Sequence, residues 1–196
     1  MKKAGFILLD QYADWEGSYL STMLTQEGWE IDTLSIQETV QSIGGFTTKI
    51  DTLITKENPL IDFDLLVLIG GNSWHLDYPE VTQLLTRYIA HKKPVAAICG
   101  AVDYLAKNGL LTNFNHTGNA QFIWNDFDNY LNKEQFLEQQ AVLDNNLVTA
   151  NGTASLDFTE LTLEMIGFTQ KEAQKKVDMY RLGYYAFCEK YGNPYM

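Results

Sequence analysis

Two kinds of apolar pattern alternate along this chain. Gly5–Leu9, Asp64–Ile69 and Pro94–Ile98 contain short apolar runs with little polar interruption. Runs of that length predict strands covered on both faces, because a strand with one wet face would alternate. Between them, apolar residues recur at helical spacing. Trp15, Tyr19, Met23 and Leu24 mark one helix, and Val81, Leu84, Leu85, Tyr88 and Ile89 mark another. Asp14 stands where an N-cap would, Gly28 closes the first helix, and Pro79 opens the second. Trp29–Ile36 alternates and reads as a strand. Val40–Ile54 holds Gly44-Gly45 between β-rich flanks and reads as a hairpin. A helix follows Cys99-Gly100 and runs to Gly109. Leu143–Ala150 predicts a strand with a turn at Asn145-Asn146. Two helices, Ser155–Ile166 and Lys171–Tyr191, finish the chain.

Strands that alternate with helices and are apolar throughout require a parallel sheet with helices on both faces. The expected fold is α/β: a flavodoxin-like, doubly wound, mostly parallel sheet in one domain spanning residues 1–196. A chain of 196 residues can bury a core large enough to fold without disulfides or structural metal.

Composition narrows the partners. Fourteen Lys and Arg face 25 Asp and Glu, a net charge of −11. Such a field repels phosphate backbones and anionic headgroups, so neither nucleic acid nor a membrane surface is expected as a partner. The apolar run after Met1-Lys2-Lys3 stops at Asp10, too soon for a signal-peptide core. The two cysteines, Cys99 and Cys188, are too few for a disulfide scaffold or a Cys₄ zinc site. Reduced thiols in a cytoplasm are the expectation.

In open α/β sheets, ligands bind beyond the carboxyl ends of the strands. Four segments qualify: Asp10–Glu16, Gly70–His75, Cys99-Gly100 and Asn151–Ser155. Cys99 follows a buried strand and starts a helix. A tight strand-to-helix turn presents a side chain for attack, and a helix N-terminus favours a thiolate. Backbone N–H groups of Gly100 and Gly71 can form an oxyanion hole. Glu16, in the first turn of the first helix, can share a proton with the thiol. His116 is a candidate base. Trp74 and His75 follow the Gly-Gly turn and are candidate pocket residues, as are Asp14 and Asn151. Each has an ordinary alternative: Cys99 as a small core residue, Glu16 as a helix-dipole acid, His116 as a loop histidine, Trp74 as loop packing. Cys188, on the aromatic last helix, reads as structural. No dinucleotide, Walker or His-Glu-x-x-His motif occurs, so no metal or organic cofactor is expected.

Val95-Ala-Ala-Ile-Cys99-Gly100-Ala, followed by Leu105-Ala106 and Gly109-Leu-Leu111, resembles the nucleophile segment of the ThiJ/PfpI family. That family lies within the class I glutamine amidotransferase-like superfamily. Its relatives include intracellular peptidase-like proteins and the Parkinson-disease-associated deglycase. Ile7–Leu9 with Asp14-Trp-Glu16, Leu66–Gly71, and Val148–Gly152 resemble further family segments, covering residues 4 to about 167. The resemblance implies a reactive Cys99, a glutamate partner at Glu16, donors at Gly71 and Gly100, and a homodimer. The family's Thr-Thr-His segment here reads Thr117-Gly118-Asn119, so Asn119 takes the histidine's slot and His116 stands upstream. The late His-x-Glu of true glutamine amidotransferases is missing, so glutaminase activity is not expected. Isocyanide hydratases use an Asp in the first loop, which Asp14 could match if it is not the cap. The implied function is attack by Cys99 on a small carbonyl or amide compound, as a hydrolase or a glyoxalase- or deglycase-like enzyme. The alternatives are a cysteine-based redox sensor without turnover, or a drifted family member without catalysis. The C-terminal extension, 168–196, is expected to pack across the sheet or build a dimer contact.

Overall fold

The computed structural model describes residues 1–56 and 62–196. Its strands are β1 (Lys3–Ile7), β2 (Glu30–Ser35), β3 (Thr39–Gln41), β4 (Thr47–Lys49), β5 (Thr52–Leu53), β6 (Leu65–Leu68), β7 (Val95–Ile98), β8 (Ala141–Asp144) and β9 (Leu147–Ala150). Its helices are α1 (Asp14–Gln26), α2 (Pro79–Ala90), α3 (Gly100–Lys107), α4 (Ser155–Met165), α5 (Gln170–Leu182) and α6 (Tyr184–Tyr191). The main sheet runs β5-β2-β1-β6-β7-β9-β8. Every neighbouring pair in it is parallel except β8 with β9. This is the doubly wound, mostly parallel α/β architecture that the alternation of strands and helices requires.

Both faces of the central strands are covered, which explains their continuous apolar sequence. Residues Ala4 and Phe6 of β1, Leu65 and Val67 of β6, and Ala96 and Ile98 of β7 pack toward α1, α4 and α5. The intervening Ile7, Leu66, Leu68, Val95 and Ala97 pack toward α2 and α3. The chain leaves β1 for β2 on one side and returns to β6 on the other. The crevice at this switch point opens at the carboxyl edge, between the loops after β1 and β6. An isolated antiparallel bridge from Tyr12 to Gly71 ties those two loops together.

Four details depart from the sequence reading. Ala13, not Asp14, is the N-cap of α1, and it gives no side-chain cap. Asp14 is the first helical residue, and its Oδ2 accepts the Gly44 N–H at 2.7 Å, tying the β3–β4 hairpin to α1. The buried stripe of α1 is Glu16, Gly17, Leu20, Met23 and Leu24, whereas Trp15 is 51% exposed. The turn expected at Asn145-Asn146 is there, with Asn145 in the left-handed region at φ +53°, but it divides Leu143–Ala150 into two antiparallel strands, β8 and β9. The last predicted helix breaks at Gly183, whose φ of +77° no α-helix accommodates.

The C-terminal extension does not cross the sheet. Ala173 and Val177 of α5 are buried in the layer formed by α1 and α4, and Tyr180 meets Tyr19 at 4.8 Å. Thr169 starts α5 with a capping box: its side chain accepts the Glu172 N–H, and Glu172 reaches back to the Thr169 N–H at 2.8 Å. Thr169→Ala is expected to lower stability by about 1 kcal/mol. That corresponds to a fall of ~2–4 °C in the thermal midpoint, readable by calorimetry. Among the described residues, no helix is long and apolar enough to cross a membrane.

Candidate functional site

The four segments marked by the carboxyl-edge rule meet around Cys99. The residue sits at φ +59°, ψ −130°, between the end of β7 and the start of α3. A side chain makes that conformation costly, about 1–3 kcal/mol, and surrounding bonds must hold it. The Cys99 N–H donates to the Ala150 carbonyl and the Cys99 carbonyl accepts from Val102 N–H, each at 2.9 Å. Gly70 and Gly71 make room for the turn. A Cβ on Gly70 would lie 2.5 Å from Cys99 Cβ and 2.6 Å from Glu16 Oε2. One on Gly71, at φ +143°, would lie 2.2 Å from the Gln11 carbonyl oxygen.

Glu16 is fully buried. It reaches the site because Gly17 lets α1 approach β6 closely: a Cβ there would meet Ile69 at 2.7 Å. Glu16 Oε2 accepts the Gly70 N–H at 2.7 Å. Among the described residues, its Oε1 is buried with no hydrogen-bond partner beyond the Cys99 thiol. That oxygen and the sulfur flank one space: a Cβ on Gly152 would lie 3.2 Å from Oε1 and 2.8 Å from Sγ. Burial pushes the Glu16 carboxyl up to about 7, against the opposing pull of the thiol and the Gly70 N–H. Burial, and then the Glu16 charge, push the Cys99 thiol up to about 11, while the Asn119 amide and the Gly100 N–H pull it back. The helix N-terminus therefore acts on the sulfur in the expected direction, but desolvation outweighs it. The two groups titrate as a pair, and a proton on Glu16 removes the charge that opposes a thiolate.

Asn119 is the side chain that meets the sulfur. Its Nδ2 donates to Cys99 Sγ at 3.3 Å, and its Oδ1 accepts the Gly152 N–H at 2.9 Å. His116 does not take part. It is completely buried, with Nδ1 at 2.8 Å from the Phe114 carbonyl and Nε2 at 2.9 Å from the Tyr130 hydroxyl. A carbonyl only accepts, so Nδ1 carries the proton and Nε2 accepts from Tyr130. Trp124, Tyr130 and Phe136 surround the ring, and burial lowers its pKa. The choice of His116 as a base is thus corrected: it belongs to an aromatic core cluster.

The remaining candidates divide. The Gly100 N–H faces the sulfur, and the Gly71 N–H has no acceptor among the described residues. Trp74 is buried and donates to the Ile69 carbonyl at 2.7 Å, under Gly100 rather than in an open pocket. His75 is exposed, with its ring on the Asn72 carbonyl of its own loop. Asn151 holds Gln140 and the Thr153 turn. It shares with Asn119, Gln121 and Phe122 a cleft of about 600 Å³. Asp14 serves the hairpin. Sequence reasoning passed over Gly152 and Trp15. A glycine two residues past a strand end is the signal for the first. For the second it is position, since a residue next to an inward-facing Glu16 is turned ~100° toward the rim.

Gly152→Val is expected to slow alkylation of Cys99 at least about ten-fold while the chain stays folded, because the new carbons occupy the space beside Sγ. Mass spectrometry of both cysteines after iodoacetamide, with Cys188 as internal reference, checks this.

A sequence model of the DJ-1/PfpI family matches residues 2–165. The chain belongs to the DJ-1/PfpI family. It is 52% identical to an "Uncharacterized protease YdeA" of Bacillus subtilis (strain 168), over 100% of both chains. A crystal structure of a DJ-1 superfamily protein from Agrobacterium tumefaciens superposes with a TM-score of 0.84 at 30% identity, covering 93% of this chain and 98% of that one. A thiJ/pfpI family protein from Bacillus anthracis gives 0.81 at 29% identity, over 96% and 94%. The family match ends where α4 ends, so α5 and α6 of this DJ-1/PfpI protein lie outside it.

Proposed function

We propose that this DJ-1/PfpI protein uses Cys99 to add reversibly to the carbonyl carbon of a small aldehyde or related electrophile. The observation that carries the reading is the shared space beside Gly152. There the sulfur faces a buried glutamate oxygen that has no other partner among the described residues. The step needs no cofactor. Sulfur forms a bond to the carbonyl carbon, the carbonyl π pair moves onto oxygen, and a proton reaches that oxygen. Glu16, with its pKa near 7, supplies that proton and takes up the one the thiol loses. The N–H groups of Gly71 and Gly100 are suited to receive the developing oxyanion.

Asn119 favours addition over hydrolysis. An amide can donate to the sulfur, but it cannot accept a proton from an attacking water as an imidazole would. A second reading, hydrolysis of an amide bond, draws on the amide-rich cleft that adjoins Asn119, with Glu138 in its wall, and on the protease name carried by the B. subtilis relative. The test is carbon NMR with an isotopically labelled aldehyde, joined to a turnover panel of aldehydes, esters and peptide amides. A tetrahedral thiohemiacetal resonance and turnover of aldehydes are expected. Turnover of amides alone would favour the second reading, and neither adduct nor turnover would sink both.

A further inference from the structure

Trp15 stands half in water at the rim of the Cys99 space. Its Nε1–H donates to the Gly152 carbonyl at 3.4 Å, and the same Gly152 gives its N–H to Asn119 at 2.9 Å. Gly152 is also the residue whose missing side chain leaves Sγ open, since a Cβ there would lie 2.8 Å away. The indole is therefore held at one edge by a single long hydrogen bond to the residue that borders the sulfur, with much of its surface left exposed.

Bulk cannot approach the sulfur on the Gly152 side without the room that a glycine leaves, nor on the Gly70 side, where a Cβ would already overlap Cys99. A molecule reacting there must present a small electrophilic end and carry the rest of its mass outward. The indole, on the Gly152 carbonyl, borders one side of such a path, and the cleft beside Asn119 borders the other. A ring already held at one edge loses less freedom when another group covers it, and an aromatic partner gains from offset or edge contact as well as from burial. The Glu16 carboxylate next to Sγ disfavours an anionic substituent at the reacting end.

We propose that the Trp15 indole is a subsite for a planar apolar group, aryl or heteroaryl, carried outward from the carbon that Cys99 attacks. This rests on Cys99 acting as a nucleophile and names the class of molecule it meets.

The test compares iodoacetamide with N-phenyl iodoacetamide on the full-length protein, each thiol read by mass spectrometry. In both reagents the thiolate displaces iodide from a methylene carbon. Cys188, on α6, is the internal reference. The rate ratio, N-phenyl over parent, is expected to be about 3- to 10-fold higher at Cys99 than at Cys188, the scale of one aromatic contact. Trp15→Ala should bring the Cys99 ratio down to that of Cys188, and Trp15→Phe should keep most of the difference. Equal ratios at the two cysteines in the wild type would overturn the subsite, as would an unchanged Cys99 ratio in Trp15→Ala. If that variant instead converts a dimer to a monomer with the ratio intact, Trp15 is a subunit contact and the subsite is again overturned. A Cys99 inert to both reagents would remove the nucleophile reading itself, a result distinct from a reactive Cys99 without aryl preference.

Discussion

Cys99→Ala is expected to abolish adduct formation with a labelled aldehyde, together with turnover of carbonyl or amide compounds. The loss should be on the order of 10³-fold or more, the scale on which removal of a nucleophile acts. Alanine keeps the Cβ, so the elbow at φ +59° keeps its geometry and its strain. Only the sulfur goes. Cys188→Ala should change nothing, because that residue lies on α6 beside Tyr184, outside the carboxyl edge of the sheet. A third variant separates strain from chemistry. Cys99→Gly is equally inert but relieves the positive φ, so it should be more stable than Cys99→Ala by about 1 kcal/mol. Adduct formation that survives Cys99→Ala and disappears in Cys188→Ala would reverse the assignment of the two thiols.

Glu16→Gln is expected to stabilise the protein at pH 8 by about 3 kcal/mol and to change it little at pH 4. In the folded chain the Glu16 carboxyl is pushed from its ordinary 4.5 to about 7, with burial as the largest cause. A carboxyl raised by folding favours the fold while it is protonated. That contribution is complete below about 4.5 and is lost as pH rises through about 7. At pH 8 the wild type therefore holds a buried charge that glutamine does not carry. Moving the carboxyl from 4.5 to about 7 corresponds to roughly 3 kcal/mol. Glutamine keeps an oxygen for the Gly70 N–H and turns an N–H toward the sulfur. Thermal midpoints measured at both pH values should differ by ~6–12 °C between variant and wild type at pH 8 and converge at pH 4. A difference of the same size at both would show packing, not charge. Asp103, pushed by burial up to about 6 under its bond to Trp124, gives a slope of the same sign that the variant keeps.

The stability gain and the functional cost have one origin. The buried charge of Glu16 is unfavourable to fold around, and the same carboxyl is the group able to move a proton beside Cys99. Strain at Cys99 has the same character: it opposes folding while it exposes the sulfur at the head of α3.

The main sheet was legible because its strands carry their own evidence. Leu65–Leu68 and Val95–Ile98 are buried on both faces, and such burial leaves an unbroken apolar run at the residue level. Cys99, Glu16, Gly71 and Gly100 were legible for a topological reason: in a parallel sheet, positions just past strand ends converge on one edge. The turn at Asn145-Asn146 was legible from its residues, but the antiparallel strand before it, reaching back to Ala141, was not, since a two-residue turn leaves the apolar count of a single strand intact. Nor was the break at Gly183, where helical periodicity resumes on the far side.

The chain by itself determined an α/β sheet and a cysteine at a strand-to-helix turn, because periodicity and strand-end position are local properties. It could not choose between His116 and Asn119, since both lie in one loop and either residue type can meet a sulfur. Tertiary structure decided that choice. The aromatic cluster of Trp124, Tyr130 and Phe136 claims His116, and the turn at Gly152 brings Asn119 onto Sγ. The same long-range packing sets the buried oxygen of Glu16 against the thiol and holds Trp15 at the rim. These are contacts between residues more than a hundred positions apart in some cases, such as Trp15 with Gly152. No pattern of hydrophobic and polar positions encodes them, because they depend on how closely the glycines let the backbones approach.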